Sequence, residues 1–234
     1  MPRTRTITTA TDEFRVGTWH GLDGVAFVGI GQRASVPTAE GLRGVLDELR
    51  GFGYGHVVTS ALRHAEAQVF LDAGFVERER LVVLRRSVHP PPSLPSLPTR
   101  RAGRSDRGAV LAVDTTAFEP AWRLDAEGLI EALKATPRSR FRVVDNAASV
   151  AGYAVCGRSG RTGYLQRLAV DPLLQGRGYG RALVDDALIW LARRKATSIL
   201  VNTQTRNERA IGLYRSMGFS PDEPDLVVLE RGLR

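Results

Sequence analysis

A single cysteine, Cys156, stands in a chain of 234 residues, which excludes an internal disulfide and any thiolate zinc cluster. It lies in the apolar run VAGYAVC, so packing is its expected role. Histidine is scarce as well: none of the four falls in residues 108–234, which excludes an imidazole base from that half. Lysine occurs only as Lys134 and Lys195, so the cationic surplus is almost all arginine. No apolar run approaches the roughly 20 residues that span a bilayer, and the opening MPRTRTITTA lacks the apolar centre of a secretory signal. A soluble cytoplasmic protein with no membrane partner and no metal is expected. The net charge of +8 is spread as +1 over residues 1–88, +3 over 89–107 and +4 over 108–234. With no dense basic stripe, nucleic acid is not an expected partner, and a general preference for anionic ligands is what remains.

What is present is enough apolar residue, 43% of the chain, to bury a core. The stretch HPPPSLPSLPTRRAGRSDR, rich in proline and serine, reads as a linker over 89–96 between a domain at 1–88 and one at 97–234. Around Leu97 to Ala102 a short strand is expected, followed by a helix through RGAVLAVDTTAF capped by Ser105 or Asp106. Beyond it the pattern predicts a helix over 129–135, strands at FRVVD, SVAGYAVC and YLQRLAV, and a helix to about Arg194. The strand SILVNT, a helix over 208–216 and the strand DLVVLE complete the half. Helices alternating with strands give an α/β class with a central sheet covered by helices.

The first half carries a faint copy of the second at an offset of 144 residues, which brings Gly74-Phe75 onto Gly218-Phe219. On that register HVVTS matches SILVNT, GLRGVLDELR matches ALVDDALIWLARR, and LVVLRR matches LVVLER.

Between YLQRLAV and the following helix stands QGRGYGR, residues 175–181, with three glycines at alternate positions. A strand that ends in a glycine-rich turn opening onto a helix gathers backbone N–H groups at the positive end of the helix dipole, and anions bind there. Arg177 and Arg181 can add charge at the rim. The similar GFGYGH at 51–56 follows a helix and precedes a strand, so its amides face no helix start and a turn explains it. A nucleoside-triphosphate loop would need Gly-Lys-Ser/Thr, and a dinucleotide fold an acidic end to the next strand, which here reads NTQT. Neither fits.

The run LAVDPLLQGRGYGRAL, followed by NERAIGLYRSMGF, resembles the GCN5-related N-acetyltransferase (GNAT) family over about residues 97–234. The family's acetyl-coenzyme A signature, Gln/Arg-x-x-Gly-x-Gly/Ala, begins here at Gln175 or Arg177, depending on register, and is completed by Gly178 and Gly180. The resemblance implies a GNAT fold with a splayed strand pair. The backbone of Leu168, Ala169 and Val170 would hold pantetheine, and the amides of Gln175, Gly176, Arg177, Gly178, Tyr179, Gly180 and Arg181 would hold pyrophosphate. Asn207 matches the family asparagine near pantetheine, and is equally well placed as a helix N-cap. Tyr214 matches the tyrosine beside the acetyl sulfur, where a phenol can protonate or stabilise the departing thiolate; as a residue on a helix face shared with Ala210 and Ile211 it also reads as core.

The general base is not evident. Where related peptide N-terminal acetyltransferases carry a glutamate, this chain has Asn202, which with Gln204 on the same strand face could orient substrate or water. Phe118, Glu119 and Trp122 are candidate acceptor contacts, Glu119 as a base or for amine recognition, though it reads more simply as a solvated helix end. In the first half the positions matching Tyr214 and Asn207 are Phe70 and Arg63, and GQRASVPTAEGL lacks alternating glycines and contains Pro37, which has no N–H. A truncated GNAT-like half that keeps a fold and not a cofactor site is expected. Taken together the residues point to direct acetyl transfer from acetyl-CoA to a primary amine of a small molecule or peptide, by a monomer or homodimer. A non-catalytic acyl-CoA sensor or interaction module is the competing reading.

Overall fold

The computed structural model describes residues 4–10, 12–19, 22–31, 36–147, 149–222 and 224–233. In chain order the elements are β1 (Thr4–Thr8), β2 (Glu13–Thr18), β3 (Val25–Ile30), α1 (Ala39–Gly51), β4 (His56–Thr59), α2 (His64–Asp72), β5 (Val76–Ser87), β6 (Arg100–Arg101) and α3 (Arg107–Ala117). There follow α4 (Ala126–Lys134), β7 (Arg138–Asp145), β8 (Val150–Ser159), β9 (Thr162–Val170), α5 (Tyr179–Ala192), β10 (Ser198–Gln204), α6 (Glu208–Ser216), β11 (Ser220–Pro221) and β12 (Leu226–Gly232). The α/β class stands, and no helix among the described residues is long and apolar enough to cross a membrane.

By internal contacts the chain forms two compact units. One holds the residues up to Val83 with 204–206 and those from Asp222 on; the other holds 84–203 and 207–221. This differs from a division at 89–96. The boundary falls inside β5, and the last strand, β12, pairs antiparallel with β4 and with the first part of β5 in the first unit. The Pro/Ser-rich segment belongs to the second unit, where the Ser96 N–H donates to Asp185 (3.3 Å) and the Thr99 hydroxyl to Asp186 (3.0 Å) on α5.

In the first unit the strands run in the order β1–β2–β3–β4–β12–β5, with β3 and β4 parallel across the crossover helix α1. Helix α1 forms because Thr38 caps it, its hydroxyl accepting from the Gly41 N–H at 3.0 Å, and because Leu42, Val45, Leu46 and Leu49 recur on one face. All four are buried, in a core shared with Phe14, Val28, Phe70 and Leu229.

The second unit orders its strands β10–β9–β8–β7–β6, with β9 and β10 parallel across α5. Strand β8 is buried on both faces from Val150 to Gly157, as its unbroken apolar sequence requires. One face carries α3 and α4 over Val110, Val113, Leu129, Val143, Tyr153 and Val155. On α5 the residues from Ala182 to Leu188 are all buried, including the adjacent Asp185 and Asp186. Asp186 accepts from Arg140 (2.6 and 2.9 Å); burial pushes its carboxyl upward, but Arg140 and Arg142 outweigh that and hold it below the usual carboxylate value. The order strand, strand, crossover helix, parallel strand, helix, Gly-Phe occurs in both units, β2–β3–α1–β4–α2 against β8–β9–α5–β10–α6.

Candidate active site

The two parallel strands flanking α5 part company early. Strand β10 pairs with β9 only through Ser198–Thr162, Ile199–Gly163 and Leu200–Tyr164, while β9 runs on to Val170 and β10 to Gln204. From Leu165 to Val170 the β10 side of β9 has no strand partner among the described residues, whereas its other side stays paired with β8 to the end. The opening starts at a bulge: Val155 opposes Arg167 and Cys156 opposes Leu165, so Gln166 is an extra residue in β9. The unpaired main chain of Leu168, Ala169 and Val170 therefore lines one wall of a wedge.

At the mouth of that wedge the chain makes a short 3₁₀ turn, Pro172–Leu174, and enters α5 through the glycine run. The three glycines serve two purposes. Gly176 (φ 80°) and Gly178 (φ 88°) are left-handed, a conformation that costs other L-residues about 1–2 kcal/mol. Gly180 lies within the helix, where a Cβ would come 3.1 Å from Leu213 of α6, so its absence lets the two helices close. The N–H groups from Gln175 to Arg181 donate to no acceptor among the described residues, and those of Tyr179, Gly180 and Arg181 are the free amides of the first turn. Gln175 is fixed by its amide donating to the Val170 carbonyl (3.1 Å) and by accepting from Arg209. Of the two rim arginines, Arg177 is exposed, but Arg181 turns aside to donate to Ser216 Oγ at 2.7 Å.

Asn207 and Tyr214 lie two turns apart on one face of α6. The Asn207 carboxamide is engaged at both ends, accepting from the Ala210 N–H (3.2 Å) and donating to Thr203 Oγ1 (3.1 Å). That ties the start of α6 to β10. Tyr214 is 4% exposed and packs on Phe219 with ring centroids 5.5 Å apart. Its hydroxyl has no hydrogen-bond partner among the described residues, and burial raises its pKa well above that of an ordinary phenol. On β10 the buried residues are Ile199, Val201 and Thr203; Asn202 points the other way and is exposed, and Gln204 is half-buried. Cys156 is buried, and its thiol is pushed up to about 12 by burial first and the charge of Asp186 second, so it stays a neutral packing residue.

A cluster that sequence pattern does not reveal joins α3 to β8 and β9. Asp114, fully buried on α3, accepts from Arg167 of β9 (2.8 and 2.9 Å), from the Tyr153 hydroxyl (2.5 Å) and from the Leu124 N–H (2.7 Å). Arg167 also donates to the Trp122 carbonyl (2.7 Å) and lies over the Phe118 ring, 3.4 Å from its centroid. The structure thus brings Phe118 and Trp122 together through a guanidinium, while Glu119 is exposed at the turn between them. One signal could have found the cluster: an aspartate within the apolar periodicity of Val110, Val113 and Ala117.

In the first unit the equivalent helix start is occupied by protein. Asp12 accepts from the Thr38 N–H at 3.2 Å to each oxygen and from the Thr38 hydroxyl at 2.5 Å. A Cβ at Gly41 would collide with the same carboxylate. Residues 32–35 of the preceding segment lie outside the described residues. Asp12→Ala is expected to cost about 1–2 kcal/mol in urea unfolding, the scale of a lost helix-start interaction; an unchanged midpoint would show that Thr38 needs no such support.

Comparisons with known proteins agree with this architecture. Residues 109–219 match the model of the acetyltransferase (GNAT) family. A mycothiol acetyltransferase of Acidothermus cellulolyticus is 32% identical over 186 residues, 68% of this chain and 56% of the relative. Another, of a Nocardioides species, is 29% identical over 269 residues, 93% of this chain and 86% of the relative. The chain thus spans just over half of the first relative and most of the second. Among solved structures, a tandem GNAT protein from the clavulanic acid biosynthesis pathway shares the fold at a TM-score of 0.68 with 14% identity, covering 100% of this chain and 84% of that one. A GCN5-related N-acetyltransferase from Kribbella flavida gives 0.66 with 12% identity, covering 98% and 89%. The chain belongs to the GNAT family of acetyltransferases.

Proposed function

We propose that this chain transfers acetyl directly from acetyl-CoA to a primary amine, using the wedge between β9 and β10. The observation that carries the reading is the early end of the β9–β10 pairing beside a helix start with free amides. Pantetheine would pair with the main chain of Leu168, Ala169 and Val170, and its pyrophosphate would lie on the amides of Gln175 to Arg181. Asn207 keeps one N–H and one lone pair beyond its two internal bonds, enough to contact pantetheine while capping α6. Tyr214 would donate to the departing thiolate. The buried, neutral thiol of Cys156 supports direct attack by the amine and not an acyl-cysteine relay. No histidine lies in residues 108–234, so the amine would lose its proton through water ordered by Asn202 and Gln204.

The first unit is read as a truncated GNAT-like half whose anion seat Asp12 fills. The relatives' name makes mycothiol-related amines the first acceptors to assay. Peptide N-termini come second, because a 33%-identical relative from Mycobacterium tuberculosis, over 89 residues, is named N-alpha-acetyltransferase RimI. Thiol release from acetyl-CoA with these amines tests the reading, alongside calorimetry of cofactor binding. Gly178→Val, which forces a β-branched residue into a left-handed position, should weaken acetyl-CoA at least tenfold. Binding without turnover on any amine would favour a sensor; a folded protein that binds no acetyl-CoA would end both readings.

A further inference from the structure

A second cluster of cations lies in the second unit, at the other end of α5 from the glycine run. A cleft of about 480 Å³ is bordered by Arg101, Arg140, Arg142 and Arg194 over an apolar floor that includes Phe141 and Trp190. Helix α5 has 14 residues, so at about 1.5 Å per residue some 20 Å separate its two ends, too far for one small ligand to touch both. Among the described residues the one carboxylate paired with these four guanidiniums is that of Asp186, held by Arg140 and Arg142, which leaves three positive charges in excess. Arg140 and Arg142 share Asp186, at 2.6 and 3.2 Å; the latter contact is an ion pair of the buried Arg142 Nε without hydrogen-bond alignment, and the Arg142 Nη2 donates to the Thr99 carbonyl and hydroxyl (2.6 and 3.0 Å). Arg101 and Arg194 have no acidic partner among the described residues, and Arg194 lies against the Trp190 ring, 4.8 Å from its centroid. A neighbouring hollow of about 280 Å³ shares Arg101 and Phe141 and adds Arg104 and Arg107.

We propose that this cleft binds a compact multivalent oxyanion, a small molecule carrying two or more phosphate groups, at a site separate from the acyl-carrier wedge. Guanidiniums match phosphate oxygens in bidentate fashion, and their mutual repulsion around a partly enclosed hollow is relieved by such a ligand. Arginines placed only to guard the open edge of β7 would need no hollow of this size. The floor argues against nucleobase readout: Trp190 is 5% exposed with Arg194 against it, and Phe141 is set edge-on to Tyr153.

Inorganic tripolyphosphate is the probe, titrated calorimetrically into the full chain. Saturable one-to-one binding is expected, weakened at least tenfold in Arg101→Ala/Arg194→Ala and likewise in Arg101→Gln/Arg194→Gln, which keep more of the side chains. It should be unchanged within twofold in Arg161→Ala/Arg215→Ala, which removes the same charge from exposed sites elsewhere, and in Gly178→Val, which damages the wedge instead. Equal loss in the Arg161/Arg215 variant would reduce the effect to diffuse charge, and loss only in Gly178→Val would move the ligand to the glycine run. Absence of saturable binding, or tighter cleft-dependent binding of a single-stranded RNA oligonucleotide, would also overturn the proposal.

Discussion

Asp114→Ala is expected to remove about 3–5 kcal/mol of stability, the cost of leaving a buried charge without its partner. Three donors lose their acceptor at once. The Arg167 guanidinium, its side chain only 13% exposed, keeps the Trp122 carbonyl and the Phe118 ring but no counter-charge. The Tyr153 hydroxyl and the Leu124 N–H are left unpaired inside the unit, each worth about 1–3 kcal/mol when unsatisfied. These penalties overlap, because the side chains relax together, so their sum is an upper bound. Against a total stability of about 5–15 kcal/mol the change is large enough to read from the midpoint of denaturant unfolding. Asp114→Asn, which keeps the shape and one acceptor, should cost less, and Arg167→Met with Asp114→Leu should recover much of the loss because neither charge then remains. A drop below about 1 kcal/mol for Asp114→Ala would mean that water replaces the carboxylate and that the cluster is not a structural anchor.

That cluster also marks where the sequence stops being legible. Element types follow from local pattern: the apolar spacing of α1, the unbroken apolar run of β8 and the cap at Asn207 each have a local cause. The glycine run and Tyr214 stand out because their spacing is itself the signal. Arg167 does not, since simple alternation along TGYLQRLAV would put it on one face with Gly163 and Leu165. The extra residue at Gln166 reverses the alternation and sends Arg167 to the face of Tyr153 and α3. A bulge is a property of pairing and not of one strand, so it is invisible before the partner is known. The same holds for β12. LVVLRR and LVVLER are nearly the same string, and nothing local decides that the second joins β4 and the first part of β5. The strands β1, β2 and β3 are likewise absent from the expectations, because their clearest support is their mutual pairing. In the first unit, Pro37 and the missing alternating glycines argue against an anion seat; that Asp12 fills the helix start depends on its hydrogen bond to Thr9, which pattern alone does not show.

On the proposed mechanism, Tyr214→Phe should lower kcat about a hundredfold or more while acetyl-CoA affinity changes less than threefold, the split expected when a group acts only in the transition state. The substitution removes one oxygen and leaves the ring on Phe219, so packing is retained. Burial sets the pH behaviour. An ordinary phenol loses its proton near pH 10, and desolvation in α6 moves this one higher, so the protonated form persists beyond pH 10. A phenol less acidic than a thiol does not hand its proton over fully; it stabilises the leaving thiolate as a hydrogen-bond donor, which it can do only while protonated. Turnover should therefore show no alkaline decline attributable to Tyr214 up to pH 10. Stability has the matching sign: the folded pKa is raised, so the contribution is complete below the unfolded value of 10 and is lost as pH climbs towards the higher folded value. An alkaline limb near pH 10 that disappears in Tyr214→Phe would place the phenol in water during the reaction, and equal turnover of the two proteins would take it out of the chemistry.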